Sequence, residues 1–154
     1  MSVRWILEQA SRVQKVALDF FNIDFFFAAL GGGATVQVTQ PTPSDADFAL
    51  YQIAGASYSA AATNVPLPNI LISIVDQSSG RALQNAPVHW ITTVGTAQLP
   101  FVLPEAKFFN GNGGIAVTLT DVSAVASVDH ITLSGVKVFY KGGATRASLM
   151  QNMF

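Results

Sequence analysis

Alternation of apolar and polar positions is the dominant pattern along this chain. Residues 115–119 place Ile115, Val117 and Leu119 in one phase, with Ala116 and Thr118 between them. A period of two puts such residues on one face of a β-strand. Just before them, Asn110-Gly111 and Asn112-Gly113 are dipeptides that accept positive φ, which predicts a tight turn between Phe109 and Ile115. Residues 131–140 carry Ile131 and Leu133 in one phase and Val136, Val138 and Tyr140 in the other. The phase slips at Gly135. A β-bulge there would bring all five side chains onto one face, and glycine tolerates a bulge best.

The same reading extends along the chain. Residues 35–39 alternate, with Val36 and Val38 inward, until Pro41 and Pro43 close the strand. Residues 48–56 and 88–94 read as strands, and the β-branched run 70–75 reads as a central one. Shorter pieces are expected at 81–83 and 99–103, with turns at 76–80 and 84–87. Residues 57–69 read as a loop, because Pro66 and Pro68 oppose regular structure. Near the start, Val3, Ile6, Leu7, Ala10, Val13, Ala17 and Leu18 fit one stripe of a helix. Phe20, Phe21, Phe25, Phe26 and Phe27 follow as a strand or a buried arm, ended by Gly31-Gly32-Gly33.

Three regions result. Residues 1–30 form an N-terminal arm or helix. Residues 31–143 form a mainly β domain, and residues 144–154 form a C-terminal arm beyond a Gly142-Gly143 hinge. Roughly eight or nine short strands with Pro- and Gly-rich turns predict an antiparallel β-sandwich, with a jelly roll as its expected form. Strand order is not readable from the sequence.

Composition sharpens this picture. The chain has 154 residues, the length of one domain, and no cysteine, which excludes disulfides and thiolate metal sites. Its net charge of −1 gives no electrostatic reason to expect nucleic acid or an anionic membrane as partner. Only 11% of residues are charged, against about 25% in ordinary soluble domains. Half are hydrophobic. Such a surface retains apolar patches, which mark contact with other chains. The most apolar run, 20–30, holds Asn22 and Asp24 and falls short of a membrane span. Glu8, Gln9, Arg12 and Lys15 interrupt any export signal, so synthesis in the cytoplasm is expected.

Candidate chemistry is sparse. His89 and His130 both sit in predicted strands. Asp129 precedes His130, but neighbours on a strand point to opposite faces, so Asp129 does not orient it as a base. No hydrolase elbow, zinc-protease, P-loop or dinucleotide motif occurs. Asp45 and Asp47 form a D-x-D pair that fits turn capping better than a cation loop. Among Trp5, Trp90, Tyr51, Tyr58 and Tyr140, only Trp90 and Tyr58 are candidates for a sugar-stacking platform. Arg81 is expected to anchor its loop through Asp76. No catalytic residue, cofactor or metal ligand is assigned.

Three segments in order carry a family pattern: an apolar strand entering D-Q-S-S-G-R (76–81), a Pro-Val strand start at Pro87-Val88, and P-E-A-K-F-F-N-G-N-G-G (104–114) leading to L-S-G-V-K (133–137). This pattern, over residues 70–142, resembles small virion proteins of tailed bacteriophages. The resemblance implies a β-sandwich that decorates the head or joins the neck and tail. It implies contacts with other copies of the chain and with major capsid or neck and tail proteins, and a place in the virion. It carries no catalytic residues.

The expectation is therefore a non-enzymatic virion structural protein, a minor capsid or cement subunit that forms homo-oligomers. The alternative is a glycan- or receptor-binding module of a virion. Candidate subunit-interface residues are Phe25, Phe26 and Phe27 in the first arm and Leu149, Met150, Met153 and Phe154 in the last.

Overall fold

A computed structural model describes residues 16–59, 69–123 and 125–140. Their backbone is mainly β, arranged as two antiparallel sheets packed face to face. The first sheet has the order β1-β9-β3-β7: Val16–Leu30, Ser127–Tyr140, Asp47–Ser59 and Phe101–Phe109. The second has the order β2-β8-β4-β5: Thr35–Pro41, Gly114–Asp121, Ile70–Asp76 and Arg81–Ala82. A short β6, Val88–His89, pairs with the first residues of β4.

The core follows from the alternation. From the second sheet, β4 turns Ile70, Ile72 and Ile74 inward, and β8 turns Ile115, Val117 and Leu119 inward. From the first come Ile23, Phe25 and Phe27 of β1, Phe48, Leu50 and Ile53 of β3, Phe109 of β7, and Ile131 and Leu133 of β9. Burying each large side chain contributes about 1.5–3 kcal/mol. These alternating positions make the sandwich the stable arrangement.

Residues 16–30 are not an arm. They form a 15-residue strand whose register against β9 begins at Val16↔Tyr140. Inward Ile23, Phe25 and Phe27 account for this, since three core side chains at a period of two outweigh the weaker helical stripe. The rest of the predicted helix, residues 1–15, lies outside the described residues, as does the arm 144–154.

The bulge lies in β3, not at Gly135. On the β1 side β9 passes Gly135 without a slip, through Phe20↔Val136, Phe21↔Gly135 and Asn22↔Ser134, and the register shifts only farther along, between Phe27 and Leu30. On the β3 side Leu50 faces Gly135 and Gln52 faces Ser134, so Tyr51 is the extra residue. Alternation in β9 therefore continues. Leu133 stays in the main core, while Val136 joins a smaller outer cluster with Val16, Ala49, Val138, Leu18, Ala106, Phe108 and Tyr140. This sheet is apolar on both faces at that end, which the sequence presents as a phase slip. Gly135 has a different cause. A Cβ there would lie 2.3 Å from the Ala49 carbonyl oxygen and 2.5 Å from Phe48 Cε2.

Two further segments differ from expectation. Residues 88–94 leave the strand after His89 and make one helical turn, α1 (Trp90–Thr93), closed by the Val94 N–H donating to the Trp90 carbonyl. Thr92 Oγ1 donates to the His89 carbonyl at 2.7 Å, and Trp90 turns into the core. The expected piece at 99–103 is the start of the longer β7, which takes Pro104 at a sheet edge where no ladder donor is required.

The turn after Phe109 carries the chain from one sheet to the other rather than closing a hairpin, with Asn112 at φ 57° as its dipeptides require. Thr42 ties it down, donating to the Asn110 carbonyl at 2.8 Å and accepting from Gly113 N–H at 2.7 Å. The 76–80 turn forms as expected, with Gly80 at φ 68°. Its Asp76 accepts from Ser78 N–H, Ser78 Oγ and Ser79 Oγ, while Arg81 is exposed.

Candidate functional site

The outward face of the first sheet presents most of the unusual surface. Register sets its rows: Phe26, His130 and Ala56 stand abreast, and next to them Asp24, Thr132 and Ala54. Phe26 and His130 stack at 4.6 Å between ring centroids, tilted by 36°. Thr132 Oγ1 donates to Asp24 Oδ1 at 2.6 Å. The two alanines leave the floor low, because each projects a single methyl.

A wall rises beside this floor. Gly55 N–H donates to the Gly95 carbonyl at 2.8 Å, docking residues 90–99 along β3. Gly95 must be glycine, since a Cβ would lie 2.2 Å from both the Leu99 carbonyl oxygen and the Phe101 amide nitrogen. The turn that follows holds itself through Thr96 N–H to the Leu99 carbonyl and Leu99 N–H to Thr96 Oγ1. It exposes 80% of Leu99, and α1 exposes 60% of Ile91. Floor and wall enclose an open groove of about 730 Å³, lined by Ala54, Ala56, Ile91, Leu99, His130 and Thr132 among others.

The groove is mainly apolar, with a few hydroxyl, amide and imidazole groups. Asp129 points to the opposite side of β9 and is buried, as alternation requires, so it does not orient the His130 ring. His89 belongs to the other sheet and is exposed. The two histidines therefore share no site.

β1 forms the rim. It ends its sheet, and among the described residues no strand pairs with its outer edge. Its outward phase exposes 66% of Phe20 and 50% of Phe26. Of the three phenylalanines expected at an interface, Phe25 and Phe27 are instead in the chain's own core, and Phe26 alone is presented outward. Consecutive strand residues alternate sides, so three in a row cannot share one surface. Leu149, Met150, Met153 and Phe154 lie outside the described residues. Phe20, named only within the phenylalanine-rich stretch, and Ile91 and Leu99 were not among the expected interface residues. Reading 16–27 with a period of two would have separated Phe20 and Phe26 from the core phase.

The remaining candidates have structural partners. Trp90 is buried beneath Gly55 and offers no platform, whereas Tyr58 is exposed. Trp5 lies outside the described residues. The D-x-D pair anchors the turns around it: Asp45 pairs with Lys137 Nζ at 3.2 Å, and Asp47 accepts from Gly111 N–H and from Tyr140 Oη, both at 2.8 Å. Among the described residues, no group of three or more His, Cys, Asp or Glu is placed to hold a metal, and no helix is long and apolar enough to cross a membrane. No protein-family model matches this chain, and no curated protein shows a significant match to it.

Proposed function

We propose that this chain is a non-enzymatic structural subunit of a tailed-phage particle, a minor capsid or cement protein that works through contacts with copies of itself and with other virion proteins. The observation that carries this reading is the open edge strand β1 with Phe20 and Phe26 turned outward. Exposed edges invite pairing with another chain, and monomers blunt them with charge, proline or bulges. Here β1 carries Asp19, Asp24 and an irregular register between Phe27 and Leu30, yet its outward phase still presents Phe20 and Phe26, in a chain with only eight basic and nine acidic residues.

The strand order supports a jelly-roll winding. The chain alternates between sheets from β1 to β4, meanders through β5 and β6, and alternates again from β7 to β9. Jelly rolls serve as capsid and lectin domains. In this reading Leu149, Met150, Met153 and Phe154 supply a second contact beyond the Gly142-Gly143 hinge. A closed ring is the expected assembly, because cyclic symmetry satisfies every copy's interface.

Light scattering tests the reading. The full chain is expected as an oligomer. A Phe20→Ser/Phe26→Ser variant and a chain ending at residue 143 should both stay folded by circular dichroism and lose mass per particle. Equal masses for all three would refute it. The second reading, a glycan- or receptor-binding module, draws on the groove beside the Thr132–Asp24 pair and on exposed Tyr58. A glycan-array signal abolished by Ala54→Trp, which fills the groove floor, would favour it.

A further inference from the structure

Two carboxylates are buried inside the sandwich, away from the face described above. Asp121 ends β8 in the phase of Ile115, Val117 and Leu119, and Asp129 precedes Ile131 and Leu133 in β9. Both therefore point between the sheets, one from each, and their exposures are 1% and 0%. Each has one oxygen satisfied. Asp121 Oδ1 accepts from Ser123 N–H at 2.6 Å, and Asp129 Oδ2 accepts from Ser127 Oγ at 2.7 Å. The other two oxygens, Asp121 Oδ2 and Asp129 Oδ1, are buried and have no hydrogen-bond partner among the described residues.

Buried polar groups are paired in nearly all native structures, and an unpaired carboxylate oxygen is among the costliest exceptions. Burial holds the Asp129 carboxyl above its ordinary range and the nearby charge of Asp121 adds to this, while bonds from Ser57 and Ser127 and the charge of His130 oppose it. Among the described residues no basic group forms a salt bridge with either carboxylate. Lys137 is engaged by Asp45, Arg81 is exposed on β5 in the turn after Asp76, and the His130 ring stacks with Phe26 on the outward face. One shared proton would still leave one buried negative charge. A divalent cation cancels both.

We propose that Asp121 and Asp129 hold a calcium-sized divalent cation between the two sheets, through the free oxygens Asp121 Oδ2 and Asp129 Oδ1. The donors are all hard oxygens, with no cysteine or imidazole, which selects a hard cation. Calcium takes six to eight oxygens in flexible geometry, so backbone carbonyls and water complete the shell. Ser127 positions Asp129 by holding Oδ2, which leaves Oδ1 turned to the ion. The site links the two sheets and goes beyond the assembly reading.

The test uses the full-length protein stripped with EDTA. Calorimetric titration with calcium chloride should show saturable binding, of a strength in the range of about 10⁻⁴–10⁻³ M found for weakly charged sites. At roughly tenfold saturation the melting temperature should rise by about 3–6 °C, and less with magnesium. Asp121→Asn and Asp129→Asn are nearly isosteric and remove a buried charge, so both should fold and lose the calcium response. A native protein that gives neither heat nor a shift up to about 10 mM calcium overturns the proposal. So does an unchanged response in both variants. Asparagine variants that gain stability while the native protein ignores calcium assign the pair a shared proton instead.

Discussion

Replacing Gly135 with alanine distinguishes two explanations that predict opposite signs. Gly135 has no positive φ; among the described glycines only Gly33 and Gly80 do. Strand propensity and unfolded-state entropy alone therefore predict that alanine stabilises by about 0.4–1 kcal/mol. Packing predicts the reverse. The added methyl would lie 2.3 Å from the Ala49 carbonyl oxygen and 2.5 and 2.6 Å from two ring atoms of Phe48. The carbonyl belongs to a paired strand, and Phe48 is fully buried, so neither can move aside cheaply. Overpacking of this kind costs about 1–3 kcal/mol, and contact with backbone places it at the upper end. For a chain of this size that is a fall of roughly 4–12 °C in melting temperature. Gly114→Ala is the control, because its nearest contact would be Thr39 Cγ2 at an ordinary 3.5 Å. Urea unfolding of both variants, with Phe48→Leu added in a double-mutant cycle, measures the coupling. If Gly135→Ala is as stable as Gly114→Ala, the close-approach argument fails.

Deleting Tyr51 removes the bulge while keeping Leu50↔Gly135 and Gln52↔Ser134 in register and Phe48, Leu50 and Ile53 in one inward phase, so a cooperative melt by circular dichroism is expected; loss of cooperative unfolding would show that the bulge itself is required. Thr42→Val leaves Gly113 N–H without its side-chain acceptor and should cost about 1–3 kcal/mol in denaturant unfolding, whereas Thr42→Ser should cost under half of that. For Asp76, burial raises the carboxyl pKa, but the bonds from Ser78 and Ser79 outweigh it and hold it below its ordinary 3.8. A depressed acid contributes stability fully above its unfolded pKa and loses it as pH falls through the folded one. The stability gap between the native chain and Asp76→Asn should therefore close below about pH 4 and be flat above about pH 5; a gap unchanged down to pH 2 would contradict the assignment.

The sequence by itself determined the local elements. Alternation at 35–39 and 115–119 and the β-branched run at 70–75 need only neighbouring residues to specify a strand, and each became one: β2, β8 and β4. The turn dipeptides were equally local, as Asn112 and Gly80 at positive φ show. What depended on a partner was not legible. The phase slip in 131–140 reads the same whether that strand bulges or a strand beside it does, and only the pairing with β3 places the extra residue at Tyr51. Phe25, Phe26 and Phe27 form one apolar block in the sequence, yet the pleat sends two into the core and one outward. Trp90 reads as strand, but core space beneath Gly55 draws it into a helical turn. Asp121 and Asp129 stand at the two ends of a connection between sheets, where their shared burial arises only once those sheets have packed. Local sequence sets φ, ψ and the buried phase of each strand; which faces meet is decided by long-range packing, where side chains distant in the chain compete for the same interior volume.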